Sequence, residues 1–254
     1  MSEMMGSKLI LFSCSKSRLI VKLAGKNIVV LIGYAVLSIA FTYPLAIRFA
    51  THIPGDGGDS WQFINTFWWF KKALLELQVN PYYNSYMFYP TGVSLASSTV
   101  TPFNTLLSIP IQIFFNGIIA YNTLFLISFI LSGFNMYLLV KFLVKNRGAA
   151  FISGFVFAFA PYRLAHGLGH LNLITTQFMP LYLLFLIKML ETPTCRNAIF
   201  AGLSFALTAL SSAHYALYSA VLTPIIVAFH LYIHKYDCLL YTSDAADEGL
   251  GVDL

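Results

Sequence analysis

Residues Ile28–Ile47 read IVVLIGYAVLSIAFTYPLAI and form the first long apolar run of the chain. The run is about as long as a helix that crosses the hydrocarbon core of a bilayer. It is too long for the apolar region of a signal peptide, and no convincing cleavage site follows it. Five Lys and Arg side chains precede it. We therefore predict a retained transmembrane helix.

The composition of the whole chain agrees with this prediction. Of its 254 residues, 58% are hydrophobic and only 10% are charged, and the mean hydropathy is +0.73. Such values are typical of a membrane protein and exclude an ordinary soluble domain. The three cysteines have no paired spacing, so the sequence predicts neither a disulfide framework nor a zinc site.

Further apolar runs extend the pattern to six predicted spans. They are Ala120–Leu143, Gly148–Ala165, Leu171–Met189, and two halves of Arg196–Lys235, which is broken near Ser211–His214. The predicted fold class is therefore all-α, a polytopic transmembrane helical bundle.

The distribution of basic residues predicts the orientation of this bundle. Lys and Arg collect on the cytoplasmic side of membrane proteins. With residues 1–27 as a cytoplasmic basic N-terminus, cytoplasmic segments hold eleven of the 15 Lys and Arg residues. The assignment makes residues 28–237 one transmembrane domain, in a bacterial or archaeal cytoplasmic membrane. Residues 51–117 become a large extracytoplasmic loop.

This loop is predicted to carry two interfacial helices. Ser60–Gln78 is amphipathic and rich in aromatic residues, which suits a helix that lies at the membrane surface. Pro102–Phe115 is a short apolar segment that contains Pro110. A true span there would break the alternation of charge, so we predict a re-entrant or interfacial helix.

The end of the chain has a different character. Residues 238–254 carry four of the ten acidic residues and interrupt the apolar pattern. The segment resembles, codon by codon, the translation of a sequencing adapter. We therefore expect a non-native tail and exclude it from the prediction of the fold.

The candidate catalytic groups collect at the predicted extracytoplasmic ends of the helices. The loop after the first span reads HIPGDGGDS, residues 52–60, and holds Asp56 and Asp59. Arg163, His166 and His170 lie between the third and fourth spans. A carboxylate can act as a general base on a hydroxyl, and an arginine can hold a phosphate through paired donors.

The two acids also have simpler interpretations. Asp56 lies among glycines and suits a turn. Asp59 is followed three residues later by Gln62, a pattern that resembles a capping box at the start of a helix. A capping acid is rigidly placed, so structural and catalytic roles are compatible.

The basic residues likewise have alternatives. Arg163 could extend its charge to the membrane interface. His166 and His170 could share a metal ion with Asp59, although the glycines between them disfavour a common helix face. His214, at the end of the fifth span, is a possible further site residue or a simple helix-end residue.

The chain resembles the GT-C superfamily of integral membrane glycosyltransferases, which includes protein O-mannosyltransferase-like and bacterial cell-envelope enzymes. The resemblance covers roughly residues 27–235. Its most specific parts are Tyr43-Pro44, the Gly55–Asp59 loop, and Ala160–Arg163 with His166 and His170 beyond. Family members usually have more spans, so the resemblance implies an N-terminal fragment.

The resemblance implies a reaction and its residues. Asp59 occupies the position of the catalytic base, with Asp56 as second acid. Many relatives have two consecutive acids there, whereas Ser60 follows Asp59 here. Arg163, helped by His166 or His170, would hold the phosphate of a polyprenyl-phosphate-linked sugar donor. Some relatives use a divalent metal and others none, so the cofactor stays open; the membrane is a partner, and no nucleic acid is expected.

Two other classes of function compete with this one. A polytopic transporter or lipid flippase could use the same polar groups as a substrate site, although transporters usually carry broken helices and repeated halves. A non-catalytic membrane subunit of cell-envelope assembly is the third possibility. The enzyme hypothesis requires Asp56, Asp59 and Arg163 to meet at one outer cavity.

Overall fold

The structure is a computed structural model that describes residues 25, 27–55, 58–96 and 98–248, with side chains described as far as residue 233. Asp56, most of the N-terminal segment 1–27 and the last residues of 238–254 lie outside the described residues. Of the described residues, 76% are helical. This confirms the predicted all-α class.

Ten helices make up the described part of the chain. In chain order they are α1 (Asn27–Phe41), α2 (Gly58–Lys71), α3 (Pro102–Phe114), α4 (Gly117–Val144), α5 (Arg147–Ala158), α6 (Pro161–His166), α7 (Leu171–Ile174), α8 (Phe178–Glu191), α9 (Cys195–Ser211) and α10 (Ala213–Glu248). A 3-10 turn at Leu45–Arg48 follows α1, and a π-helical turn at Lys72–Leu77 follows α2.

Four helical segments are long and apolar enough to cross a membrane. They are Gly117–Val144, Arg147–His166, Leu171–Glu191 and Ala213–Ile233. Helices α1 and α9 are apolar but shorter. The chain is therefore a helical membrane protein, and each of the six predicted spans corresponds to an apolar helix or helix pair.

The first helix ends earlier than the sequence pattern predicts. We predict a span to Ile47, but α1 ends at Phe41 and the chain turns at Thr42–Pro44. A residue before proline is disfavoured in helical conformation, and proline has no N–H for the helix ladder. Pro44 therefore redirects the remaining apolar residues into the 3-10 turn.

Hydrogen bonds at the two ends of the bundle show that α1 and α4 run antiparallel. At one end Lys141 Nζ donates to Asn27 Oδ1 over 3.0 Å. At the other, Asn122 Nδ2 donates to the carbonyls of Phe49 and His52 over 2.8 and 2.7 Å. Asp59, in the first turn of α2, lies beside this second end.

The centre of the bundle is closed by small residues around one tyrosine. The Tyr34 ring of α1 is fully buried, and its hydroxyl donates to the Phe151 carbonyl over 2.9 Å. Gly133 of α4 and Gly154 of α5 leave room for the ring, since a Cβ on either would lie within 3.0 Å of it. Such small-residue contacts let membrane helices pack closely.

The α1–α4 connection carries two helices, as predicted. Helix α2 buries Phe63, Phe67 and Trp69 while Trp61 stays exposed, so much of its aromatic face packs on protein. Helix α3 has 13 residues and is too short to cross a bilayer. The strands β1 (Tyr83–Asn84) and β2 (Val93–Ser94) pair as an antiparallel hairpin between α2 and α3. The sequence pattern does not predict this hairpin, because each strand has only two residues.

Candidate functional site

The loop that precedes α2 is held against the connection between α6 and α7. Gly55 adopts a φ of 87°, and a Cβ built on it would lie 1.8 Å from the carbonyl oxygen of Leu168. Only glycine combines this backbone conformation with so close an approach. This contact brings the start of α2 next to the residues that follow α6.

We expect Gly55→Ala to lower the free energy of unfolding by about 1–3 kcal/mol, because the methyl group forces the loop away from Leu168. Gly169→Ala is the matched control, since a Cβ there meets nothing within 4 Å. Thermal unfolding of both variants in detergent checks the prediction. Equal stability of the two variants would show that the loop is not held by this contact.

Three predicted site residues form a contiguous group that we call the acid–histidine cluster: Asp59, His166 and His170. His170 Nε2 lies 3.3 Å from Asp59 Oδ2. His170 Nδ1 lies 3.4 Å from His166 Nδ1. The turn at Gly167–Gly169 places the two histidines side by side, which their glycine-rich spacing does not predict.

The cluster is open to solvent. The side chains of Asp59 and His170 are 62% and 46% exposed. Asp59, Ala165 and His170 line a cavity of about 400 Å³. A carboxylate can accept a proton from a bound hydroxyl, and an imidazole beside it can share the charge of the carboxylate through a hydrogen bond.

A second cavity, of about 410 Å³, adjoins the first and shares Leu168 with it. Its walls include the rings of Phe41 and Phe129, and its polar side chains include Arg48 and His52. Both basic side chains are exposed. We call this space the Arg48 cavity. Arg48 is not among the site residues predicted from the sequence, although its position just after the first span is the signal that could have identified it.

The expectation that Arg163 faces an outer cavity is wrong. Its side chain is only 2% exposed, and Arg163 lines neither of the two cavities. Its guanidinium lies 4.5 Å from the centre of the Phe129 ring. The same burial contradicts the alternative that Arg163 extends its charge to the membrane interface.

The guanidinium of Arg163 instead bonds to the protein backbone. Nη1 donates to the carbonyl of Ala158 over 2.7 Å, and Nη2 donates to the carbonyl of Ile174. Nη2 also lies 3.2 Å from Ser128 Oγ. Ala158 ends α5 and Ile174 ends α7, so Arg163 satisfies carbonyls that two helix interruptions leave without helical partners.

The remaining predicted site residues are Asp56 and His214. Asp56 is outside the described residues. His214 is exposed near the start of α10, and within the described part of the chain it makes no hydrogen bond to the cluster. Asp59 lies within the first turn of α2, which begins at Gly58, and Gln62 Nε2 donates to Ser98 Oγ over 3.2 Å.

A third acid of the α1–α4 connection is already paired. Lys72 Nζ donates to Glu76 Oε2 over 3.1 Å, and this hydrogen bond raises the pKa of Lys72 above its usual value. Glu76 is thereby engaged on the π-helical turn after α2. Asp59 differs from it in facing a histidine instead of a lysine.

Across the described residues, no group of three or more His, Cys, Asp or Glu side chains is arranged to hold a metal ion. The chain matches no protein-family model and no curated protein.

Proposed function

We propose that the chain is a membrane glycosyltransferase. It transfers a sugar from a polyprenyl-phosphate-linked donor to an acceptor hydroxyl. The observation that carries the proposal is the 3.3 Å contact between Asp59 and His170, which joins distant parts of the chain in a cavity that adjoins the Arg48 cavity.

The proposed reaction is a displacement at the anomeric carbon. The Asp59 carboxylate takes the proton of the acceptor hydroxyl while the oxygen of that hydroxyl forms a bond to the anomeric carbon. The bond from the anomeric carbon to the phosphate oxygen breaks, and polyprenyl phosphate leaves with the bonding electrons. His170 orients the Asp59 carboxylate and shares its charge. His166 supports His170 from the other side.

The Arg48 cavity suits the donor lipid phosphate better than the surroundings of Arg163 do. Its aromatic and apolar walls fit the first isoprene units. The Arg48 guanidinium makes no hydrogen bond to the described residues and can form paired bonds with phosphate oxygens. His52 lies on the same wall. Arg163 does not meet Asp59 at an outer cavity, so the mechanism that requires it there fails. The proposal therefore assigns to Arg48 the phosphate-holding role that the family resemblance places on Arg163.

The proposed orientation puts both cavities on the extracytoplasmic side. The opposite end of the bundle carries Lys141, Lys145, Arg147, Lys188 and Arg196. Basic residues mark the cytoplasmic side, so the N-terminus lies in the cytoplasm. A bacterial or archaeal cytoplasmic membrane is the proposed location.

We expect Arg48→Ala to raise the KM for a polyprenyl-phosphate sugar about 10- to 100-fold, since a charge-assisted bond to phosphate is lost. The kcat should fall as well, because the leaving phosphate gains negative charge in the transition state and the contact with Arg48 is then stronger. Arg196→Ala, at the opposite end of the bundle, is the control and should leave KM unchanged. An unchanged KM in Arg48→Ala would remove this residue from the donor site.

One observation favours the transporter or flippase alternative. The α5–α6 and α7–α8 helix pairs are both interrupted, and interrupted helices are common at transporter substrate sites. Here the side chain of Arg163 occupies the junction between them, which favours a structural interruption.

Proteoliposomes loaded with a lipid-linked sugar and an acceptor separate the two functions. The enzyme produces free polyprenyl phosphate and a glycosylated acceptor, both visible by mass spectrometry. A flippase moves the intact donor across the membrane and cleaves no bond. Movement of the donor across the membrane without cleavage of its sugar–phosphate bond would refute the proposed reaction.

A further inference from the structure

A third cavity, of about 500 Å³, lies between α2 and the segment around the β1–β2 hairpin. One wall is formed by Trp61, Gln62 and Asn65 of α2. The facing wall includes Leu95 and Ser98. We call this space the Trp61 cleft. It is distinct in position from the acid–histidine cluster and from the Arg48 cavity.

The lining of the cleft combines an aromatic ring with neutral hydrogen-bonding groups. The Trp61 ring is 52% exposed. Gln62 connects the two walls through its bond to Ser98. Asn65 is exposed, and its amide has no hydrogen-bond partner among the described residues. These amide and hydroxyl groups supply both donors and acceptors to a ligand.

This chemistry points to one class of ligand. A sugar ring presents C–H groups on one face, which pack on an aromatic ring, and hydroxyls around its edge, which bond to amides. No Lys, Arg, Asp or Glu lines the cleft, so an ionic ligand would find no counter-charge among these described residues. A hydrocarbon chain would leave the amides of Gln62 and Asn65 unsatisfied.

The cleft lies beside the proposed base. Gln62 follows Asp59 by three residues on α2, and residues at this spacing share a helix face about 5–6 Å apart. A saccharide in the cleft can therefore place a terminal hydroxyl next to the Asp59 carboxylate. The two walls fix the rest of the ligand while that hydroxyl reacts.

We propose that the Trp61 cleft binds a neutral saccharide and that this saccharide is the acceptor. The inference rests on the proposed function, because it names the substrate that receives the sugar. It makes the product an elongated glycan or a branched one, according to which hydroxyl faces Asp59.

Binding can be tested without any donor. Saturation-transfer NMR is recorded on the whole chain in detergent micelles with neutral tetrasaccharides of glucose, mannose or N-acetylglucosamine. We expect at least one of them to bind, and Trp61→Ala to weaken it about tenfold. Trp61→Phe should retain much of the affinity. Trp68→Ala is the matched control, since Trp68 is exposed on the same helix but does not line the cleft.

The possible results separate this inference from the proposed function. The inference is overturned if no tetrasaccharide binds, or if Trp61→Ala binds as well as Trp68→Ala does. Quenching of Trp61 by brominated lipids without saccharide binding would also overturn it, in favour of a membrane-surface role. Saccharide binding that Trp61→Ala removes, in a chain that transfers no sugar, refutes the proposed function and the acceptor role but leaves the saccharide site in place.

Discussion

Asp59→Asn is expected to lower the kcat for sugar transfer about 10²- to 10⁴-fold, the range that a positioned general base contributes. Asparagine keeps the size of the side chain and can still bond to His170, but it cannot take a proton from the acceptor. The KM for the lipid-linked donor should change little. The measurement is transfer of labelled sugar in proteoliposomes.

Two companion variants make this result specific. Glu76→Gln is the matched control, because Glu76 belongs to the same connection but pairs with Lys72; its kcat should equal that of the unmodified chain. Asp56→Asn shows which of the two loop acids is the base. If Asp59→Asn does not lower turnover, the proposed base is wrong, whatever the effect of Asp56→Asn.

Arg163→Met is expected to reduce the stability of the folded chain by about 1–3 kcal/mol. The change removes the donor to the carbonyl of Ala158, whereas the carbonyl of Ile174 keeps the Thr176 N–H and the Ser128 hydroxyl as donors. Each buried group left without a partner costs about 1–3 kcal/mol. Methionine fills most of the space, so the loss comes mainly from hydrogen bonds.

The unfolding of Arg163→Met in detergent, followed by helix content, measures this loss. Arg48→Met is the control: its side chain is exposed, and such changes usually alter stability by less than about 0.5 kcal/mol. Wild-type stability of Arg163→Met together with weaker donor binding would contradict the structural role. It would restore the phosphate-binding role implied by the family resemblance.

The membrane helices and their orientation are the part of the fold that the sequence predicts. Apolar runs near twenty residues locate the membrane helices, because the bilayer sets their length. The alternation of basic residues gives antiparallel neighbours, and the bond between Asn27 and Lys141 agrees with it. Both signals are local in the chain, so one sequence is sufficient to read them.

The site could be predicted only in part. Asp59, His166 and His170 are recognisable as polar groups at helix ends, but their contact depends on the approach of Gly55 to Leu168. Arg163 follows a helix interruption, and the sequence does not reveal that a second interruption supplies acceptors beside it. The Arg48 cavity and the Trp61 cleft could not be predicted, because each is formed by segments that are distant in the chain.

The central claim is that Asp59 faces the anomeric carbon of a donor whose phosphate lies in the Arg48 cavity. The most direct measurement is a structure of the chain with a phosphonate analogue of a polyprenyl-phosphate sugar, which binds but cannot be transferred. We predict the phosphonate oxygens at Arg48, and the Asp59 carboxylate within about 3 Å of an acceptor hydroxyl or water on the opposite side of the sugar. A donor analogue bound away from Asp59, or with its phosphonate remote from Arg48, would contradict the account.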